Sequence, residues 1–243
     1  MTKDWFASWF DSPYYHLLYK NRDDVEAEKF ILALVKHLEL PADTRVLDLA
    51  CGKGRHAKTL HKAGLNVLGV DLSPNSIASA SEYKTEGLQF AVHDMRDTIP
   101  NHKFKAVFNL FTSFGYFDDN SENLRMLESI HGMLEENGLL VIDFMNASKV
   151  IANLVQKEVK VVESVHFNIS RKYDGNHIFK TISFDTENGG QNHTERVQAI
   201  KFSDFESLLS LSKFEILRTF GDFDLNPFNE EDSNHLIIIA RKK

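Results

Sequence analysis

Apolar residues recur along this chain with two different periods, and the switch between them marks its organisation. Over residues 23–39, Val25, Phe30, Leu34 and Leu38 fall on one helical stripe with charged residues opposite, which predicts an amphipathic helix. Residues 46–50 then form a short, mostly apolar run between Pro41 and a glycine-bearing loop, the pattern of a strand buried on both faces. A second helix is predicted over 55–63 and stopped by Gly64, and a strand follows over 66–71. Ser73-Pro74 supplies an N-cap and a first-turn proline for a third helix. Strands are predicted at 89–92, 106–111 and 139–144, the last preceded by a helix over 122–135 that Asn137-Gly138 closes. Regular alternation of strand and helix predicts an α/β fold, a parallel sheet with helices on both faces.

From about residue 159 the period drops to two. Val161, Glu163, Val165, Phe167 and Ile169 alternate with other side chains, Asp174-Gly175 marks a hairpin, and Ile178, Lys180, Ile182 and Phe184 continue beyond it. Asn188-Gly189-Gly190 turns the chain into a third strand over 194–202, so an inserted antiparallel β meander is expected. Ser203 and Glu206 read as a capping box opening a helix with Phe205, Leu208, Leu209 and Leu211, and two strand-like runs, 214–220 and 235–240, end the chain. The expected division is an N-terminal helical segment over 1–40, a main domain from 41–150 and 203–243, and the insertion at 151–202.

Charge narrows the function classes. A formal net charge of -7 opposes general affinity for phosphate backbones, which rests on clustered Lys and Arg. The first residues lack a basic segment followed by an apolar one, and no apolar run is long enough to span a bilayer, so a cytoplasmic protein without membrane partner is expected. The single cysteine, Cys51, excludes an internal disulfide, and the eleven histidines show no metal-ligand spacing; no metal is expected.

The strongest chemical signal is Asp48-Leu49-Ala50-Cys51-Gly52-Lys53-Gly54, an acid at a strand end followed by two glycines before a helix. Glycine removes the Cβ and lets a ligand lie on bare backbone. Asp71, at the tip of the next strand, is placed to accept hydrogen bonds from ribose hydroxyls. Residues 52–57 also match the dinucleotide fingerprint, but a pyrophosphate there would meet the negative charge of Asp48. A cofactor carrying an ammonium suits Asp48 better.

On these residues the chain resembles the class I methyltransferases dependent on S-adenosylmethionine. Asp48-x-Ala50-x-Gly52-x-Gly54 resembles their motif I, with Ala50 in place of the usual first glycine, and Asp71-Leu72 their ribose-binding acid and its neighbour. Asp94-Met95 resembles the segment that holds the adenine, and residues 109–117 the loop lining the methyl-transfer site. The resemblance implies a Rossmann-like, seven-stranded, mostly parallel sheet closed by an antiparallel C-terminal hairpin. Residues 14–20 are similar to the N-terminal segment that closes over the cofactor in small-molecule methyltransferases, and the meander to an insertion of amino-sugar N-methyltransferases. The implied cofactor contacts are Tyr15, Tyr19, Asp48, Ala50, Gly52, Gly54, Arg55, Asp71, Leu72, Asp94, Met95, Asn109 and Phe111; the implied substrate pocket is Ser113, Phe114, Tyr116 and His166.

The expected reaction is methyl transfer to an amine or hydroxyl of a small molecule. Because the methyl is activated on the cofactor, placing the acceptor and keeping the site dry are the protein's main tasks, and a general base is optional. Tyr116 is the candidate catalytic residue, as an orienting hydrogen-bond partner rather than a base, with His16 and His166 behind it. A residue pattern other than Asn/Asp-Pro-Pro-Tyr/Phe at 109–112, together with the acidic balance, favours a small acceptor over nucleic acid. Two alternatives stay open at this stage, an NAD(P)-dependent oxidoreductase and a non-catalytic S-adenosylmethionine-binding protein; a monomer or homodimer is expected.

Overall fold

The computed structural model describes residues 9–20, 24–187 and 189–243. The readings that involve residues 1–8, 21–23 and Asn188 lie outside the described residues.

The chain runs α1 (Pro13–Leu18), α2 (Asp24–His37), β1 (Arg45–Leu49), α3 (Arg55–Lys62), β2 (Asn66–Asp71), α4 (Pro74–Ser81), β3 (Leu88–Val92) and β4 (Phe104–Asn109). It continues with α5 (Asn120–Met133), β5 (Leu134–Met145), α6 (Ala147–Ala152) and the four strands β6 (Lys157–Val162), β7 (Val165–Tyr173), β8 (His177–Thr186) and β9 (Gly189–Gln198). Helix α7 (Phe202–Leu211) and strands β10 (Phe214–Phe220) and β11 (His235–Lys242) close it. The main sheet has seven strands in the order β10-β11-β5-β4-β1-β2-β3. Pairings from β5 through β3 are parallel, while β11 lies antiparallel between β5 and β10. The strand order reverses between β1 and β4, the switch point at which open α/β sheets bind ligands beyond their carboxyl ends.

Both faces of this sheet are buried. Leu47, Leu49, Val107, Leu140 and Ile142 pack on one side with α5 and α7, and Val46, Val67, Ala106, Val141 and Ile239 on the other with α2 and α3. The buried stripe of α2 is Ala27, Phe30, Ile31 and Leu34; Val25, expected on that stripe, is 62% exposed. Phe30 and Leu34 already fix the stripe, and Val25, at the first turn, faces away from it.

Four further expectations shift. Helix α5 ends at Met133 rather than at Glu135, and residues 135–138, with Asn137 at φ +57°, form a bulge that interrupts the pairing of β5 with β4 between Leu134 and Leu139. Strand β4 ends at Asn109, because Phe111 and Thr112 adopt left-handed backbone. The meander has four strands instead of three: the alternation from Val161 to Ile169 is broken at Glu163, whose φ of +54° turns the chain between β6 and β7. That turn has no glycine or proline to announce it. Helix α7 begins at Phe202, and it is Asp204 that accepts the Lys201 amide at 2.8 Å.

The four-stranded sheet presents Phe167, Ile169, Ile182 and Phe184 to the same core as Trp9 and Leu18. It is joined to the main domain by the Gln198 amide donating to the Gly115 carbonyl at 2.8 Å and by Asn123 Nδ2 donating to Gln198 Oε1 at 2.5 Å. Among the described residues no helix is long and apolar enough to cross a membrane.

The two loop glycines do different work. A Cβ on Gly54 would lie 2.7 Å from Phe90 Cε1, and its φ is +78°; a Cβ on Gly52 would meet no protein atom within 4 Å. Gly54 therefore serves packing between loop, α4 and β3, whereas Gly52 leaves an open backbone face. Gly54→Ala is expected to destabilise the fold by about 2–4 kcal/mol, the sum of left-handed strain and overpacking, as read by denaturant unfolding.

Candidate active site

A cavity of about 580 Å³ opens beyond the carboxyl ends of β1, β2, β3 and β4, within the size range of ligand pockets. Its floor is the loop after β1. Ala50, Gly52 and Gly54 all take positive φ, at 62°, 54° and 78°, which curls the backbone tightly at the entrance to α3. Ala50 holds a conformation for which glycine is better suited, at a strain cost of about 1–2 kcal/mol.

Asp71 fixes this loop to the next one. Its Oδ2 accepts the Gly52 amide and its Oδ1 the Ser73 amide, each at 2.8 Å. Burial raises its pKa, and the amides of Ser73 and Gly52 work against that rise. Asp48 sits behind the loop at 1% exposure and does not line the cavity. Burial pushes its carboxyl up to about 7, against the lowering by the Ala57 amide, and its Oδ2 has no hydrogen-bond partner.

Across the floor, Leu72 and Met95 line the cavity with Asp94 between β3 and α5. Asp94 is already gripped by Arg96, whose Nε lies 3.0 Å from Oδ1 and Nη2 2.6 Å from Oδ2; this pair outweighs burial and lowers the carboxyl's pKa. Arg96 also reaches Glu122 at 2.8 Å and lies over the Phe117 ring. At the other end Arg55 stands over the Phe111 ring, 5.2 Å from its centroid, with Ser113 and Tyr116 beyond.

The roof is the N-terminal segment: Phe10, Tyr15, His16, Tyr19 and Lys20 all line the cavity. Two latches hold it down. Asp11 accepts hydrogen bonds from the Ser73 hydroxyl, from the Asn75 amide at 3.2 Å and from Asn75 Nδ2 at 2.5 Å. On the opposite side Glu195 of β9 accepts from Trp9 Nε1 and from the Tyr19 hydroxyl, each at 2.8 Å, while Lys180 Nζ lies 2.5 Å from the Tyr19 oxygen and 3.6 Å from Glu195. Burial, then the Glu195 charge, raises the Tyr19 pKa, so the hydroxyl stays a donor.

Of the residues expected from the sequence, the cavity gathers Tyr15, Tyr19, Ala50, Gly52, Arg55, Asp71, Leu72, Asp94, Met95, Phe111, Ser113 and Tyr116, with His16. It does not gather five others. Asp48 and Gly54 support the loop from behind, and Asn109 is fully buried with its Nδ2 donating to the Leu49 carbonyl at 3.2 Å, joining the ends of β4 and β1. Phe114 is in the core, 5.2 Å from the Phe205 ring. His166 is exposed on β7, because its neighbours Val165 and Phe167 take the inward register. The inserted sheet lends no described residue to the lining; it backs the N-terminal segment instead. Phe10 joins the lining without a sequence cue, Phe117 comes with the 109–117 loop and His56 beside Arg55; Glu195 had no cue either, since its row on β9 reads Gln191, His193 and Val197.

The loop also closes the dinucleotide alternative. The Gly52 amide is taken by Asp71 and the Gly54 amide by the Cys51 carbonyl at 2.9 Å, so neither is left for a pyrophosphate. The strand order, the antiparallel β11 and the glycine loop define a Rossmann-like methyltransferase fold. A family model described as a methyltransferase domain matches residues 40–216, and the chain belongs to that family. A protein of Geobacillus sp. (strain WCH70) that carries a methyltransferase name is 25% identical over 100% of both chains. A dTDP-3-amino-3,4,6-trideoxy-alpha-D-glucopyranose N,N-dimethyltransferase of Streptomyces venezuelae is 30% identical, over 53% of this chain and 54% of its own. A solved S-adenosylmethionine-dependent methyltransferase of Clostridium acetobutylicum superposes with a TM-score of 0.80 at 19% identity, covering 94% of this chain and 96% of its own, a likeness of fold.

Two outcomes follow for the carboxylates of the floor. The Asp48 carboxyl ordinarily titrates at 3.8 and is raised to about 7 on folding, so it is protonated in both states below 3.8, and the unfolded chain releases its proton first as the pH climbs. The ligand-free protein is therefore expected to lose thermal stability from about pH 4 to about pH 7, and Asp48→Asn to flatten that slope in a melting series. Asp71→Ala removes the bridge between two loops and should weaken binding of S-adenosylhomocysteine at least about tenfold by calorimetry, as should Gly52→Val, which fills the open backbone face.

Proposed function

We propose that this methyltransferase transfers the methyl group of S-adenosylmethionine to an amine of a small molecule. The observation that carries the reading is the roof: a segment latched at Asp11 on one side and at Trp9 and Tyr19 on the other lies over the cavity above the glycine loop and narrows it. A pocket of about 580 Å³ with such a cover suits a compact acceptor beside the cofactor.

The residues fit the cofactor. Gly52 offers bare backbone, Asp71 keeps free lone pairs on a carboxylate at the position of a ribose, Leu72 and Met95 provide apolar faces for an adenine, and Arg55 a cation for a carboxylate. When bound, S-adenosylmethionine supplies a methyl group already activated on a positively charged sulfur. Phe10, Tyr15, Phe111 and Tyr116 then do the protein's part, excluding water and holding the acceptor, with the Tyr116 hydroxyl as a hydrogen-bond partner that orients it. An amine that enters neutral needs no base in the wall, since the proton it sheds passes to water. The likeness to an amino-sugar N,N-dimethyltransferase supports an amine over a hydroxyl.

A screen of primary and secondary amines, hydroxyls and carboxylates with methyl-labelled cofactor tests the reading. Turnover on amines is expected, with Tyr116→Phe slowed about tenfold and cofactor affinity unchanged. Transfer confined to hydroxyls would overturn the amine assignment, and binding without turnover on any acceptor would overturn the enzymatic one.

A further inference from the structure

Asp143, at the end of β5, carries a carboxylate at 1% exposure that touches neither the cavity nor the latches. Its Oδ2 accepts the Phe111 amide at 3.0 Å, and its own backbone carbonyl accepts the Thr112 amide at 2.9 Å. Its Oδ1 lies 2.9 Å from Nδ1 of His235 on β11, and that imidazole packs on the Phe223 ring with centroids 4.2 Å apart. A buried carboxylate is tolerated only when its oxygens are engaged, and here they are engaged by one loop and one neighbouring strand.

The two residues it holds are unusual. Phe111 and Thr112 are consecutive, neither is glycine, and both sit in the left-handed region, at φ of 63° and 55°. Aromatic and β-branched residues resist that conformation, so it persists only where the surroundings impose it. Both amides of the pair end on the same residue. The Ser113 hydroxyl completes the turn by donating to the Leu110 carbonyl at 2.8 Å. The consequence is the place of the Phe111 ring: it leaves the line of β4, enters the cavity wall and lies under the Arg55 guanidinium.

We infer that Asp143 is a positioning residue for methyl transfer: by tethering Phe111 and Thr112 in left-handed backbone it sets the Phe111–Arg55 wall of the cofactor cavity, with His235 orienting the carboxylate from outside. The inference rests on the cofactor reading above. Asp143 acts only through the loop.

The test compares the wild type with Asp143→Ala, Asp143→Asn and the double variant Asp143→Ala with Thr112→Gly, using S-adenosylhomocysteine affinity by calorimetry together with amide exchange at Phe111 and Thr112. Asparagine retains an acceptor for Phe111 and a second polar atom for His235, so its affinity should stay within about threefold of wild type. Alanine should lose about tenfold and expose the Phe111 amide to exchange. The Thr112 amide keeps the residue 143 carbonyl in every variant, and glycine at 112 removes the left-handed strain that the lost Phe111 tether had opposed in this two-residue turn, so the double variant should recover part of the loss. A merely structural role predicts lower stability in the double variant and no recovery, and that result overturns the inference, as does unchanged affinity in a folded Asp143→Ala protein. If the alanine variant does not fold, unprotected exchange of the Phe111 amide in the wild type overturns the tether, and protection there with Asp143→Asn binding near wild type supports it. Absence of any binding by the wild type would instead overturn the cofactor reading itself and the positioning role with it.

Discussion

The site is organised around one half-buried carboxylate that joins two loops. Asp71 ends β2 and takes the Gly52 amide from the loop after β1 and the Ser73 amide from the start of α4, so neighbouring parallel strands deliver their turns to one point. The arrangement needs a glycine with an open face at 52, a packed glycine at 54 to bring α4 and β3 close, and Ser73 free to cap α4 through Ser76 at 3.0 Å. Ser73 has a second task, since its hydroxyl donates to Asp11 of the roof. Floor and roof thus share a residue, and movement of the segment above the cavity bears directly on the loop below it.

The inserted sheet packs on the roof, and none of its described residues lines the cavity. Its apolar face packs on the N-terminal segment, and its one strongly buried acid, Glu195, gathers an indole, a phenol and an ammonium. Taking that carboxylate out of water is costly unless several donors compensate, and the donors come from the segment to be held and from the adjacent strand β8. The insertion is therefore a clamp on the roof. Its attachment to Gly115 and Asn123 places it beside the loop after β4, which is the loop Asp143 holds from the other side.

Much of the fold was legible because parallel strands buried on both faces and amphipathic helices leave periodic signatures that local sequence must satisfy. The β1 loop, Asp71 and the Ser73 cap were readable for the same reason, being set by short-range backbone needs. Legibility failed where a conformation was imposed from afar. The turn at Glu163, the early end of β4 at Asn109 and the inward burial of Phe114 all carry ordinary residues held by distant partners.

By itself the sequence determined the alternation of strands and helices, the glycine loop with its two acids, and the antiparallel insertion, since each follows from periodicity or from a residue's own backbone preference. Tertiary structure alone decided which of those residues face the cavity. Asp48 and Asn109 turned out to brace the loops from behind, His166 to face solvent, and Glu195, Asp11 and Asp143 to hold the walls. The reason is that a carboxylate looks the same in sequence whether its partners are a ligand or three donors from elsewhere in the chain, and only folding brings those donors within hydrogen-bond reach.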